Sequence, residues 1–315
     1  MRKQIRLLLF FILFIFITGQ SQSGTKIFTS DISNFWLAYD SVLTTKDSNL
    51  QKEIIQTLYL DKASEGLKEF IILRSHSASR HLKNILQFSK FWNSIKINTL
   101  QIEERRNEIE NILINFKMLY PAFKQPEIYF TIGCLNSGGT TKANKVLIGS
   151  EIAAANKSTD ASELTSWLQG VFKNQDGVIN VVAHEIVHTQ QASTKADNLL
   201  GNCIIEGSAD FITEILIQKK VLAPYMIHGF ANEEQLWRKF AKEMYGTDLK
   251  SWLYNGSQIA NADLGYFMGY IICKSYYDNS KNKQKAIREI LKLKVRERKK
   301  LELFFQKSMY ADKWK

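Results

Sequence analysis

The chain has 315 residues, of which 45% are hydrophobic and 12% aromatic, with only 3 Pro. This composition excludes collagen-like, low-complexity and disordered chains. The formal net charge of +11 is unevenly placed: residues 281–315 contain 13 Lys and Arg against 4 Asp and Glu, whereas residues 24–280 contain 26 against 27. Because the body of the chain is nearly neutral, we expect no nucleic-acid partner.

The first 23 residues have the pattern of a secretory signal peptide. A basic start (MRKQIR) precedes an apolar run at residues 7–18, and small and polar residues follow. An apolar helix of this length extends only about 18 Å, which is short of the roughly 30 Å hydrocarbon core of a bilayer. We therefore predict cleavage after Ser21 or Ser23 and an exported, periplasmic or extracellular protein. No cysteine lies near the cleavage region, so we expect no acylation there.

The rest of the chain is predicted to be α+β and mostly helical. Residues 24–120 form a helical N-terminal region, and a core at 121–280 contains two strands at residues 126–133 and 145–152. A loop with a glycine pair connects these strands and suggests a hairpin or a small sheet edge. Further helices are predicted near residues 161–174, 177–192, 203–220, 232–245 and 262–278. Residues 281–315 are predicted to be a basic C-terminal helix, whose charge serves either solvation or contact with an anionic surface.

The sequence His184-Glu185-Ile186-Val187-His188 carries the strongest chemical signal. On an α-helix, positions i and i+4 project from one face about 40° apart, so both imidazoles can reach one Zn²⁺ at about 2.0–2.1 Å. Glu185 lies one step round the helix, where a base can act on metal-bound water. Coincidence is improbable, because chance predicts about 0.005 such patterns in a chain of this composition.

A catalytic zinc site needs a third protein ligand, and the acidic residues downstream supply the candidates. The four are Asp197, Glu206, Asp210 and Glu214. Glu206 and Asp210 are one helical turn apart, so one can bind the metal while the other holds the N–H of a zinc-bound imidazole. We therefore select Glu206 as the ligand and Asp210 as the residue that orients a ligand histidine. Cys203, on the same predicted helix, is interpreted as a small buried apolar residue.

The motif HEIVH followed by EGSAD resembles that of the gluzincin-type zinc metallopeptidases. The sequence of residues 178–214 is also similar to a family of predicted zinc-dependent proteases. The resemblance implies a zincin-like catalytic core with one Zn²⁺ per chain on His184, His188 and Glu206, and Glu185 as general base. In this family a Tyr or His on a later helix usually donates to the developing oxyanion. We predict Tyr266 as this hydrogen-bond donor, and Tyr270 and His228 are the next candidates.

Three functions therefore compete at this stage. The leading hypothesis is an exported zinc metallopeptidase that acts on a peptide or protein substrate. The alternatives are a zinc amidohydrolase that acts on a cell-wall or other non-protein amide, and a non-catalytic zinc-site binding protein. Among the remaining residues, His76 and His81 lie in a polar stretch and are expected to be solvated. Cys134 and Cys273 could pair in an oxidising compartment, which the sequence leaves open.

Overall fold

The computed structural model describes residues 25–174, 177–256 and 261–315, so the predicted signal peptide lies outside the described residues. The first part of the chain is a short strand followed by six helices. These are β1 (Ile27–Phe28), α1 (Ser30–Val42), α2 (Ser48–Ile55), α3 (Glu65–Arg74), α4 (Ala78–Gln87), α5 (Ser89–Leu100) and α6 (Arg106–Leu119). A π-helical turn at Gln56–Leu60 and a 3₁₀ turn at Gln101–Arg105 extend α2 and α5.

Three strands and a short helix follow: β2 (Glu127–Thr131), β3 (Gly139–Lys142), β4 (Lys145–Gly149) and α7 (Ser150–Ala153). The remaining helices are α8 (Ser166–Asn174), α9 (Val178–Gln190), α10 (Leu199–Ile217), α11 (Pro224–Ala231), α12 (Glu233–Glu243), α13 (Leu264–Asn279), α14 (Lys283–Leu291) and α15 (Arg298–Ser308). The predicted α+β, mostly helical fold class is therefore confirmed. The C-terminal segment, expected as one helix, contains both α14 and α15.

The four strands form one mixed sheet in the order β1-β2-β4-β3. Strand β2 pairs in parallel with β1 and with β4, and β3 pairs antiparallel with β4. The two strands expected to form a hairpin, β2 and β4, are thus parallel neighbours. The hairpin partner of β4 is β3, which the sequence analysis treated as part of the glycine-bearing loop. A strand as short as β3, rich in Gly, Thr and Lys, lacks the apolar alternation that identifies strands in a sequence.

Helix α10 is the central element behind the functional site. It is buried along nearly its whole length and packs most extensively against α13. At the crossing, a Cβ added to Gly207 would lie 2.0 Å from the backbone nitrogen of Tyr270, and one added to Gly269 would lie 1.7 Å from the carbonyl oxygen of Cys203. The two backbones are therefore in direct contact, which fixes the spacing between α10 and α13.

Candidate metal centre

Three of the predicted ligands meet between α9 and α10. His184 and His188 lie one turn apart on α9, and Glu206 lies in the first half of α10. The two imidazole Nε2 atoms are 3.0 Å apart, and the Oε2 atom of Glu206 lies 3.5 Å from His184 Nε2 and 3.4 Å from His188 Nε2. All three side chains are largely buried, so bulk water does not separate these atoms.

Each histidine is held through its other ring nitrogen. His184 donates its Nδ1–H to Asp210 Oδ1 at 2.8 Å, since a carboxylate can only accept. His188 donates its Nδ1–H to Gln191 Oε1 at 2.8 Å, and the amide of Gln191 is oriented by its own donation to the carbonyl oxygen of Ile205. With both protons on Nδ1, the lone pairs of the two Nε2 atoms face the same point.

This arrangement fits a metal ion. Two bare imidazole nitrogens 3.0 Å apart repel each other unless a cation lies between them. The triangle formed with Glu206 Oε2 has corners about 1.9 Å from its centre, close to the 2.0–2.1 Å of Zn–N bonds. The three residues form one of two groups with suitable metal-ligand geometry in the described part of the chain.

The electrostatics of the cluster favour positive charge. Burial lowers the pKa of His184, but Asp210 and Glu206 outweigh it and raise that pKa well above its usual value. Burial raises the pKa of Glu206, but His188 and His184 outweigh it and hold that pKa well below its usual value. The site thus contains a buried carboxylate that stays ionised and histidines that attract a cation.

Glu185 lies beside the ligands, against the sheet edge. Its side chain is buried, and burial raises its pKa against the opposing effect of His188 and His184. A Cβ added to Gly139 on β3 would lie 2.7 Å from the Glu185 Oε1 atom. Gly139 is therefore the residue that lets the edge strand lie directly against this carboxylate, and a larger side chain there would displace it.

Tyrosines form the other wall of the site. The ring of Tyr266 on α13 stacks near His184, with 6.2 Å between ring centroids, and contacts the ring of Tyr225 at 5.1 Å. The hydroxyl of Tyr225 donates to Asp210 Oδ2 at 3.0 Å, and that of Tyr254 donates to Glu206 Oε1 at 2.7 Å. By contrast, Tyr270 donates to Glu214 at 3.0 Å, outside the ligand cluster.

Other candidates from the sequence lie elsewhere or have other partners. Asp197 is exposed and lies 3.7 Å from Arg296, so it is not part of the cluster. His228 is on α11, next to Asn232. Cys134, Cys203 and Cys273 are all buried and free, so the possible Cys134–Cys273 disulfide is not formed.

The structure also adds three residues that sequence reasoning missed: Gln191, Tyr225 and Tyr254. Gln191 follows the last residue of α9, and the other two come from α11 and from a loop. The only local signal was for Gln191, which stands three residues after His188, the spacing at which helical side chains meet.

His76 and His81 are not solvated as expected. Both are buried, and burial lowers the pKa of His76 to about 4 and that of His81 to about 3. The polar residues that flank them in the sequence predicted solvent exposure, and this prediction was wrong because the residues that cover them come from distant parts of the chain.

The fold and the cluster together define a mostly helical α+β protein with a buried His-His-Glu metal-ligand set on two packed helices. The chain belongs to the family described as gliding motility protein GldB, whose family model matches residues 30–312. No curated protein and no solved structure matches the chain.

This family membership corrects the resemblance drawn from the motif. The matching family is not a zinc metallopeptidase family, so the assignment to gluzincin-type peptidases is wrong, and with it the peptidase function and the protease terms attached to it. The physical reason is that two histidines and a carboxylate on adjacent helices specify where a metal can bind, but not what the protein acts on.

The family also bears on localisation. Its model is one of lipoproteins, and the chain is accordingly exported to the cell envelope. Residues 1–23 of this chain contain no cysteine, the residue that carries the lipid in a lipoprotein. Among the described residues, no helix has both the length and the apolar character needed to cross a membrane.

Proposed function

We propose that the chain is a zinc-binding protein of the cell envelope that takes part in gliding motility, with Zn²⁺ held by His184, His188 and Glu206. The observation that carries this proposal is the convergence of two Nε2 atoms and one carboxylate oxygen within 3.5 Å of one another. Family membership supports the motility role. The held Nδ1 atoms support the metal, because ligand histidines almost always donate their second N–H to a carboxylate or carbonyl group.

Zinc is the metal that these donors suit best. Imidazole nitrogens and one carboxylate oxygen form a ligand set typical of Zn²⁺, whereas Mg²⁺ and Ca²⁺ prefer oxygen ligands throughout. Three protein ligands also leave a fourth position open, as in catalytic rather than structural zinc sites.

The first test is metal analysis of the purified mature chain. We expect Glu206→Ala and His188→Ala each to lose one equivalent of zinc relative to the unsubstituted protein. Asp197→Ala is the matched control, because Asp197 is an exposed acidic residue paired with Arg296 outside the cluster, and this variant should keep its zinc. Unchanged zinc content in Glu206→Ala would contradict the ligand assignment.

A hydrolytic role for the centre is part of this proposal. Bound Zn²⁺ supplies a Lewis acid that lowers the pKa of water towards about 7. Glu185 can then hold the proton, because its carboxylate is buried next to the ligands and its pKa is raised by that burial. The ring of Tyr266 stacks near that of His184, and its hydroxyl is the proposed hydrogen-bond donor to a bound substrate.

The substrate is not needed to test whether the centre is catalytic. We expect Glu185→Gln to keep its zinc and its fold but to fail to restore gliding in cells that lack the chain. Tyr270→Phe, which removes a hydroxyl bound to Glu214 outside the cluster, serves as the control and should restore gliding. If Glu185→Gln restored gliding as well as the unsubstituted chain, the centre would be structural.

The compartment and the anionic partner also belong to the proposal. We place the protein on the periplasmic or outer side of the envelope, in line with its predicted signal peptide. The C-terminal segment supports contact with an anionic surface, because Arg288, Lys292, Lys294, Lys300 and Lys307 line one shallow pocket of about 260 Å³ together with Phe304.

A further inference from the structure

The geometry points to a second, fully buried metal site formed by His76, His81 and Cys134, which would bind Zn²⁺ as a structural ion. One potential ligand atom from each of these residues lies within 4.8 Å of the other two. The three side chains are at most 6% exposed. Imidazole and thiolate groups are the ligands that structural zinc sites use most. This inference is independent of the function proposed for the centre on α9 and α10.

The histidines have nitrogen atoms that nothing in the described part of the chain satisfies. His76 Nδ1 and both ring nitrogens of His81 are buried and have no hydrogen-bond partner there. A buried polar atom without a partner destabilises the folded state, and native proteins rarely tolerate several together. A metal ion would use one lone pair from each ring and remove much of that cost.

The orientation of His76 matches that of a ligand. Its Nε2 atom lies 3.2 Å from Asn136 Oδ1, so the ring donates Nε2–H to the amide oxygen and keeps the lone pair on the unpaired Nδ1 atom. His184 and His188 show the same arrangement, in which one ring nitrogen donates its N–H to the protein and the other keeps a free lone pair. The ring of His81 lies 5.6 Å from that of His76, at a steep angle of 76°.

Cys134 lies beside a buried carboxylate. Burial, together with Glu151, raises the pKa of its thiol to about 12, so the thiolate would need a cation at the sulfur. Glu151, which is fully buried on α7, accepts from the backbone N–H groups of Gly133 and Leu135, at 2.7 and 3.1 Å, on either side of the cysteine. A thiolate and a carboxylate buried this close together would be balanced in charge by one divalent cation.

The site would join three parts of the fold. His76 lies between α3 and α4, His81 in the first turns of α4, and Cys134 in the segment that follows β2. The ion would therefore tie the N-terminal helices to the sheet. Three protein ligands leave a fourth position on the ion, but all three side chains are closed to solvent, so no substrate can reach it. The ion would therefore stabilise the fold rather than take part in a reaction.

The test uses cobalt as a spectroscopic probe for zinc. The mature chain is loaded with Co²⁺, and the near-ultraviolet absorption that arises from charge transfer between thiolate and cobalt is measured. The centre on α9 and α10 has no thiolate among its ligands, so this absorption reports the second site alone. We expect it in the unsubstituted chain and also in the double variant His184→Ala/His188→Ala, which should still retain one equivalent of zinc.

Substitution of single cysteines then assigns the sulfur. Cys134→Ser should lose the absorption, whereas Cys273→Ser, which removes another buried free thiol, should keep it. His81→Phe provides a second variant if Cys134→Ser does not fold, and it should also lose the absorption. Absence of thiolate absorption in the unsubstituted chain, or complete loss of zinc in the double variant, would overturn the proposal whatever the cysteine variants do.

Discussion

At the scale of single residues, the proposed metal centre depends on groups that would not touch the metal. Asp210 holds His184 and is itself held by Tyr225, while Gln191 holds His188 and is fixed by Ile205 and Ser208. Each ligand ring is thus the last member of a short series of hydrogen bonds. These hydrogen bonds fix both the tautomer and the orientation of the rings before an ion binds, which lowers the entropic cost of metal binding.

Asp210→Asn should weaken zinc binding by about 10–100-fold without abolishing it. The amide keeps the size of the carboxylate but removes its charge, and it can turn its NH₂ group towards His184, which disfavours the required tautomer. The measurement is zinc affinity by competition with a chromogenic chelator. Glu214→Gln, one helical turn further along α10 and bonded to Tyr270, is the matched control and should bind zinc as the unsubstituted chain does. Equal affinities in the two variants would refute a positioning role for Asp210.

At the scale of helices and strands, the sequence best predicted those site residues that helical periodicity brings to one face of a helix. The pairs His184 and His188, and Glu206 and Asp210, are each four residues apart, and helix geometry alone brings each pair to one face. Of the residues that the sequence analysis missed, only Gln191 had such a signal, three residues after His188. Tyr225 and Tyr254 could not be found this way, because tertiary packing brings another helix and a loop to the site.

The errors in the sequence analysis have two causes. The hairpin was placed on β2 and β4 because β3 lies within a stretch of Gly, Thr and Lys that reads as a loop. His76 and His81 read as solvated because their neighbours in the sequence are polar, while the segment around Cys134 that covers them is more than 50 residues away in the chain. Long-range contacts of this kind leave no local pattern.

The contact between α10 and α13 gives a prediction at this scale. Gly207→Ala should destabilise the protein by about 1–3 kcal/mol or more, because the added methyl group meets backbone atoms that cannot move aside independently. Gly170→Ala is the control: it lies within α8, and no described residue has an atom within 4 Å of an added Cβ, so it should stabilise the fold by about 0.5–1 kcal/mol. Chemical denaturation measures both. A neutral Gly207→Ala would mean that the helices are not in backbone contact.

At the scale of the whole molecule, positive charge is concentrated at the C-terminal end of the sequence. Residues 281–315 carry most of the net positive charge, and the rest of the predicted mature chain is nearly neutral. This uneven distribution would let the C-terminal helices contact an anionic surface. It also explains why total charge alone was uninformative about partners.

The double variant Arg288→Gln/Lys307→Gln should bind vesicles that contain anionic lipid about 30-fold more weakly than the unsubstituted chain at low salt, since each basic residue near such a surface contributes about 1 kcal/mol. Sedimentation with vesicles measures the binding. Lys62→Gln/Lys83→Gln removes the same charge from exposed positions among the N-terminal helices and should have a smaller effect. If both variants lost binding equally, the attraction would depend on net charge and not on the pocket.

The backbone contact at Gly207 and Gly269 has a consequence for how this protein can vary among its relatives. Because each glycine lies against the backbone of the partner helix, a larger residue at one position cannot be accommodated by a change at the other. Glu206 precedes Gly207, and Tyr266 lies one turn before Gly269, so the same contact sets the distance between the ligand and the tyrosine. We expect relatives to keep both glycines whether or not they keep the metal ligands, because the packing of α10 on α13 depends on both.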